Sequence, residues 1–410
     1  MPRSHLPLTS TVAVVAAAVL VAAAAEPARA DQWRAAQWYL DQFDITAMHE
    51  LTTGEGVTIG LIDSGTDVTH PDLQGVHITA GIGFGNTADP FIDTRDHGTS
   101  MAALAVGQGH GPDGTDGVLG IAPGADLIVM SFDYDDENKH EVGEWEEEAI
   151  YALLELGADV ITTSIGGVSG NSRGVQDAID AAMAAGVPFI ASAGNSETYV
   201  LPGCTSGDCG FEDAPTEDTT VVVDGLTFPA WYEHVIQAFG YTAERTRWEN
   251  SPSTEVGDLA ISAPAHDLVA AMSGGGYSIQ SGTSGAAPII AGVFALVRSL
   301  HPDANWDQLV NLVLSTTDDT GAPGYDEEFG WGQINPMAAL TSPLPAAVDG
   351  PEEPGRPSPT AAPVALAPPG PPAAVQNTLS VVVLAIPLAA LAGAAWLLRR
   401  RRARQAAVAR

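Results

Sequence analysis

The chain has 410 residues, 45% of them hydrophobic and 16% charged, enough for one large or two ordinary domains with a buried core. Its 51 acidic residues against 16 basic ones give a formal charge of −35 at pH 7, and the arginines Arg399 to Arg402, Arg404 and Arg410 crowd the last positions, so the remainder is more acidic still. Such a surface excludes nucleic acid as a partner; it reads most simply as a solvated acidic face, with basic polypeptides or a high-salt setting as the alternatives.

In chain order, Met1 to His5 carries one Arg, Leu6 to Ala25 is a nearly continuous run of small apolar residues, and Ala28-Arg29-Ala30 follows. Residues 1–30 therefore read as a secretory signal with an A-x-A cleavage site. An uncleaved anchor is the alternative, since the apolar run is long for a signal core. From Asp31 to Ser342, short apolar runs alternate with helical patterns. Strands are predicted at Val57–Ile62, Leu127–Met130, Asp159–Thr163, Pro188–Ala191 and Val235–Phe239, and helices at Thr99–Gln108, Glu141–Leu156, Val175–Ala185, Ala286–Leu300 and Trp306–Leu314. That alternation implies an α/β domain with a mostly parallel central sheet between helix layers, and a site beyond the carboxyl ends of its strands.

Four side chains fall at such ends. Asp63 closes the first apolar strand, His97 heads a small-residue helix in Asp96-His97-Gly98-Thr99, Asn195 follows a strand in Ala193-Gly194-Asn195, and Ser284 lies between a tight turn and a long apolar helix. Each has an ordinary reading as a turn Asp, a surface His, a turn Asn and a helix-capping Ser. Together they form a chemical set: His97 accepts the Ser284 proton, Asp63 fixes the imidazole tautomer, and Asn195 donates to an oxyanion.

Cys204 and Cys209 are the only cysteines, flanking a Gly-rich turn. Outside the cytoplasm they read as a local disulfide; a zinc pair would need two further ligands, and no His is near in sequence. Residues 343–378 are rich in Pro and Ala and read as a stalk, Leu379 to Leu398 is apolar and long enough to span a bilayer, and the basic tail 399–410 follows. The positive-inside rule puts that tail in the cytoplasm and everything before the span outside.

The order Asp, His, Ser resembles the subtilisin-type serine peptidases. The motifs that carry the resemblance are Gly60-Leu-Ile-Asp-Ser-Gly65, Asp96-His-Gly-Thr-Ser-Met-Ala102, Ser164-Ile-Gly-Gly167, Ala191-Ser-Ala-Gly-Asn195 and Gly282-Thr-Ser-Gly-Ala-Ala-Pro288, spread over about Gly54 to Leu340. The resemblance implies a subtilisin-like three-layer fold, endopeptidase activity on polypeptides without a cofactor, and a substrate-binding strand formed by Ser164, Ile165 and Gly166. Structural calcium is common in that family, but no spaced oxygen-ligand loop here matches a calcium site. A narrower resemblance, carried by Gln37-Trp-Tyr-Leu40, the stalk and the C-terminal span, is to the mycosins, which implies a type VII secretion complex as partner. The short stretch from Asp31 to Ile62 leaves no room for an inhibitory prodomain, a lack the mycosin resemblance is expected to share. The pattern departs from the family at Gly285, where Met or a larger residue is usual, and at Ala263-Pro264-Ala265-His266. Two functions follow: a membrane-tethered endopeptidase, or a non-catalytic subunit that stabilises a secretion complex.

Overall fold

Thr58–Asp63 (β1) is buried from Ile59 onward, as its unbroken apolar run requires of a strand covered on both faces. In the computed structural model, which describes residues 31–347 other than 86–88, 133–141, 167–171, 202–218, 224–225 and 254–257, this strand lies within a seven-stranded sheet. The signal, most of the stalk, the expected span, the basic tail and the Cys204–Cys209 pair lie outside the described residues.

The strands that follow are β2 (Ile78–Phe84), β3 (Gln108–His110), β4 (Asp116–Leu119), β5 (Asp126–Phe132), β6 (Val160–Thr163), β7 (Phe189–Ser192), β8 (Glu197–Leu201), β9 (Thr219–Val223), β10 (Val235–Tyr241), β11 (Ala260–Pro264), β12 (Leu268–Met272) and β13 (Gly276–Gln280). The central sheet has the order β11-β10-β7-β6-β1-β5-β2, every neighbouring pair parallel. β3–β4, β8–β9 and β12–β13 are antiparallel pairs outside it.

All five predicted strands belong to this sheet, and the two unforeseen ones are its edges. β2 is interrupted by Gly81 and Gly83, is largely half-exposed and shifts register after Ala80. β11 is short and ends at Pro264, which an edge strand tolerates.

Side chains alternate between two cores. Leu127 and Val129 face the helices Gly98–Val106, Thr283–Leu300 and Trp306–Ser315, whereas Ile128 and Met130 face Val142–Glu155 and Arg173–Ala184. This is the expected three-layer arrangement.

Thr283–Leu300 is the one helix among the described residues long and apolar enough to cross a membrane, but 83% of it is buried in the domain core. Ahead of β1, the short helices Gln32–Ala36, Trp38–Phe43 and Ile45–Leu51 bury Tyr39, Leu40, Phe43, Ile45 and Met48 in the first core.

Candidate active site

β1 delivers Asp63 to the carboxyl end of the sheet, where it is fully buried. The chain then turns at Gly65, whose φ of +103° suits glycine and whose absent Cβ would lie 2.1 Å from the Ile92 carbonyl. Gly98 permits a second close approach: a Cβ there would meet the Gly65 carbonyl at 2.0 Å, so only glycine lets the helix Gly98–Val106 sit against the Asp63 turn.

His97, which caps that helix, donates from Nδ1 to Asp63 Oδ1 at 2.7 Å, and the same oxygen accepts the Ser64 N–H at 2.8 Å. The charge of Asp63 raises the His97 pKa above its ordinary value against the opposing cost of burial. The imidazole side chain keeps 32% of its surface open to the cleft.

Asp93 holds this pair in register. Its Oδ1 accepts the Ser64 hydroxyl at 2.8 Å, and its Oδ2 accepts the Thr99 N–H at 2.8 Å and hydroxyl at 2.6 Å. Ser64 Oγ in turn accepts the Gly98 N–H at 3.0 Å. One carboxylate therefore ties the residue after Asp63 to the first turn of the His97 helix. Asp96, just before His97, takes a left-handed φ of 60° and accepts the Ser273 N–H, which joins the helix to the β12–β13 hairpin.

That hairpin leads into Gly282-Thr283-Ser284, with Ser284 in the first turn of the core helix, where its N–H has no acceptor within the helix. Pro288 sits four residues on and has no N–H to give the Ser284 carbonyl. Ser164, directly after β6, supplies the missing donor, its hydroxyl reaching that carbonyl at 2.7 Å. The Ser284 hydroxyl donates to the Ser164 carbonyl at 3.4 Å rather than to His97. Both side chains nevertheless line one cleft of about 190 Å³, and a turn of the serine rotamer is needed for proton transfer, as is common without substrate.

Asn195 also lines that cleft. Its Oδ1 accepts the Thr283 N–H at 3.1 Å, leaving Nδ2 to donate. Thr283 is fully buried and is itself held by Gly194, donating to that carbonyl at 2.8 Å and accepting its N–H at 3.2 Å.

The structure thus brings Asp63, His97, Asn195 and Ser284 together. Ser164 is buried and engaged with Ser284, Ile165 N–H is tied to Thr163 Oγ1 at 3.3 Å, and Gly166 packs where a Cβ would meet Thr227 Oγ1 at 2.6 Å. None of these three lines the 190 Å³ cleft. Asp93, Thr283 and Pro288 are positioning residues: Asp93 lies outside the motifs read in the sequence, and Thr283 and Pro288 lie within Gly282-Thr-Ser-Gly-Ala-Ala-Pro288 but were given no role there. A buried carboxylate–imidazole pair beside a hydroxyl, with a side-chain amide and a free helix N–H nearby, can carry nucleophilic acyl transfer.

Residues 54–332 match the family described as the subtilase family, Peptidase S8. The chain belongs to the subtilase family. This subtilase is 31% identical, over 64% of its length, to an intracellular serine protease of Paenibacillus polymyxa, of which 72% is covered. It is 30% identical, over 70% of its length, to subtilisin DY of Bacillus licheniformis, of which 91% is covered. Like these relatives it is a serine endopeptidase.

Among solved structures it resembles MycP1, described as an essential component of the type VII (ESX-1) secretion system, with 27% identity, a TM-score of 0.59, and 75% of this chain and 88% of that one covered. MycP3 of the ESX-3 system aligns at 25% identity and a TM-score of 0.58, covering 78% and 90%. The subtilase therefore resembles the mycosins, as its motifs led us to expect. One MycP1 structure, 26% identical with a TM-score of 0.60 and covering 77% of this chain and 98% of that one, is described as having its N-terminal propeptide removed. The expectation that mycosins lack a propeptide does not hold for that protein. In this chain residues 31–51 do not line the cleft and are instead part of the core.

Proposed function

We propose that this subtilase is a membrane-anchored extracytoplasmic endopeptidase that cleaves secreted or cell-surface polypeptides. The single observation that carries the catalytic part is the 2.7 Å Asp63–His97 pair opening into the cleft that holds Ser284 and Asn195. In this reading Ser284 turns toward His97, gives up its proton and attacks the scissile carbonyl. Asn195 Nδ2 and the Ser284 N–H stabilise the oxyanion, and His97 returns the proton to the leaving amine. Water then enters by the same base to release the acyl group.

Ser164, Ile165 and Gly166 pair with the substrate backbone on the acyl side, as the family resemblance implies. No step of this acyl transfer draws on a cofactor. The anchor is the apolar segment 379–398 and the basic tail is cytoplasmic, with residues 31–342 outside, the 343–378 stalk between, and Cys204 bonded to Cys209. The likeness to MycP1 and MycP3 supports a type VII secretion complex as partner.

Full-length protein in detergent is expected to react with a fluorophosphonate probe, and Ser284→Ala or His97→Ala to abolish labelling. A folded protein that never labels would instead support the structural-subunit reading. For topology, protease added to intact cells should degrade the 31–376 segment while a tag after Arg410 stays protected. An accessible tag would reverse the orientation and remove the basis for the disulfide.

A further inference from the structure

Only one of the two Asp63 carboxylate oxygens is engaged among the described residues. Asp63 is fully buried, and its Oδ1 accepts both the His97 Nδ1–H and the Ser64 N–H, whereas its Oδ2 has no hydrogen-bond partner. A charged oxygen held away from water without a donor is costly, which favours recruitment of any hydroxyl within reach. The Ser64 hydroxyl is given to Asp93, and the Ser164 hydroxyl, just beyond the strand on one side of β1, is given to the Ser284 carbonyl. On the other side of β1, the strand register sets Ser131 of β5 directly against Asp63.

Ser131 is fully buried, and its hydroxyl also has no hydrogen-bond partner among the described residues. The two side chains share one face of the sheet. Leu61 and Val129 belong to the first core and Ile62 and Met130 to the second, so the alternation along each strand returns Asp63 and Ser131 to the first. Neighbouring strands lie only about 4.7–4.9 Å apart, which leaves a serine hydroxyl and a carboxylate on that face one rotamer change from contact.

We propose that Ser131 is a positioning residue for the peptidase reaction, its hydroxyl donating to Asp63 Oδ2. The proposal rests on the endopeptidase reading above. A donor on each oxygen fixes the carboxylate plane from both ends and keeps Oδ1 in line with the His97 Nδ1–H. The hydroxyl also shares the buried negative charge, and so tempers the pull by which Asp63 holds a second proton on His97.

The test is the rate of fluorophosphonate labelling across a pH series, with full-length wild type, Ser131→Ala and Ser131→Thr in detergent. This probe reports attack by Ser284 and its need for neutral His97 without an identified substrate. A hydrogen bond to a charged group is worth about a factor of ten or more, so Ser131→Ala is expected to label roughly tenfold more slowly on the plateau. Its acid limb should move to higher pH, because the imidazolium becomes the main compensation of the Asp63 charge. Ser131→Thr keeps the hydroxyl and should restore both. The two carboxylates that raise the His97 pKa, Asp63 and Asp93, are present in every variant.

Slower labelling with a raised limb in Ser131→Ala, restored in Ser131→Thr, supports the assignment. An unmoved limb in Ser131→Ala overturns it even where Tm falls, since a hydroxyl that only packs the sheet would change stability alone; wild-type labelling then leaves the endopeptidase reading standing. A wild type that never labels overturns both. If Ser131→Ala does not fold, Ser131→Thr and Ser131→Val make the same comparison, because they share a shape and differ by a hydroxyl against a methyl group. Identical limbs in those two would remove Ser131 from the mechanism.

Discussion

Asp63→Asn is expected to lower kcat by ~10⁴-fold with little change in KM, a magnitude taken from the same substitution in trypsin-like proteases. The geometry gives the reason. Asp63 is fully buried, and the oxygen that accepts His97 Nδ1–H at 2.7 Å also accepts the Ser64 N–H at 2.8 Å, which fixes the rotation of the carboxylate. With its nitrogen at that position, an amide would present an N–H to Nδ1, forcing the proton to Nε2 where it cannot accept from Ser284, and would lose the Ser64 bond. With its oxygen there it would keep both bonds but bury an NH2 at the Oδ2 position, which has no partner among the described residues, and lose the charge that stabilises the imidazolium.

The pH profile carries a second signature. An isolated imidazole titrates near ~6.5, and the Asp63 charge raises His97 above that value. Only neutral His97 can accept the serine proton, so the wild-type acid limb of kcat/KM should lie above the ordinary imidazole value. Without the Asp63 charge, burial dominates, and the limb of the residual activity should move down. Kinetics over a pH series would check both, and wild-type turnover in Asp63→Asn would remove Asp63 from the mechanism.

The central sheet was legible because its inner strands are buried on both faces and so read as unbroken apolar runs; Ile59 to Ile62 and Val160 to Thr163 could scarcely be anything else. The edge strand β2 was not legible, because half-exposure removes the pressure for apolar residues and leaves glycines in their place. Of the candidate site, the four reacting or donating side chains lie in short local motifs and could be read one by one. The side chains that hold them could not, since their partners are remote in sequence. Ser164 answers a carbonyl 120 residues away, Thr283 grips an asparagine 88 residues away, and Asp93 spans from Ser64 to Thr99. The Thr283–Asn195 bond exists only after the sheet brings β7 beside the core helix, and no local pattern encodes that juxtaposition.

Deleting Asp31 to Leu51 is expected to destroy the folded domain rather than to uncover the cleft. A cover over the active site would line the cleft, which this segment does not. The structure assigns it different work. Gln37 exchanges hydrogen bonds with Leu119, donating to its carbonyl at 3.0 Å and accepting its N–H at 2.8 Å, and Trp38 donates to the His266 carbonyl at 3.0 Å. Arg34 donates to the carbonyls of Gly114, Asp116 and Gly117, and Trp33 stacks on Tyr277 of β13 at 5.3 Å. The segment thus braces both the β3–β4 hairpin and the hairpin that leads into Ser284. Burial of Tyr39, Leu40, Phe43, Ile45 and Met48 contributes roughly 1.5–3 kcal/mol each, a sum comparable with the ~5–15 kcal/mol by which whole domains are stable. Circular dichroism and thermal melts of the truncated protein should show no cooperative transition, and fluorophosphonate labelling should be lost with the fold. Phe43→Ala is the graded version: it should cost about 3–5 kcal/mol and lower Tm by several degrees while labelling at low temperature persists. A truncated protein that melts cooperatively and labels faster than the full chain would show the segment to be a removable cover, and the brace assigned to it would be wrong.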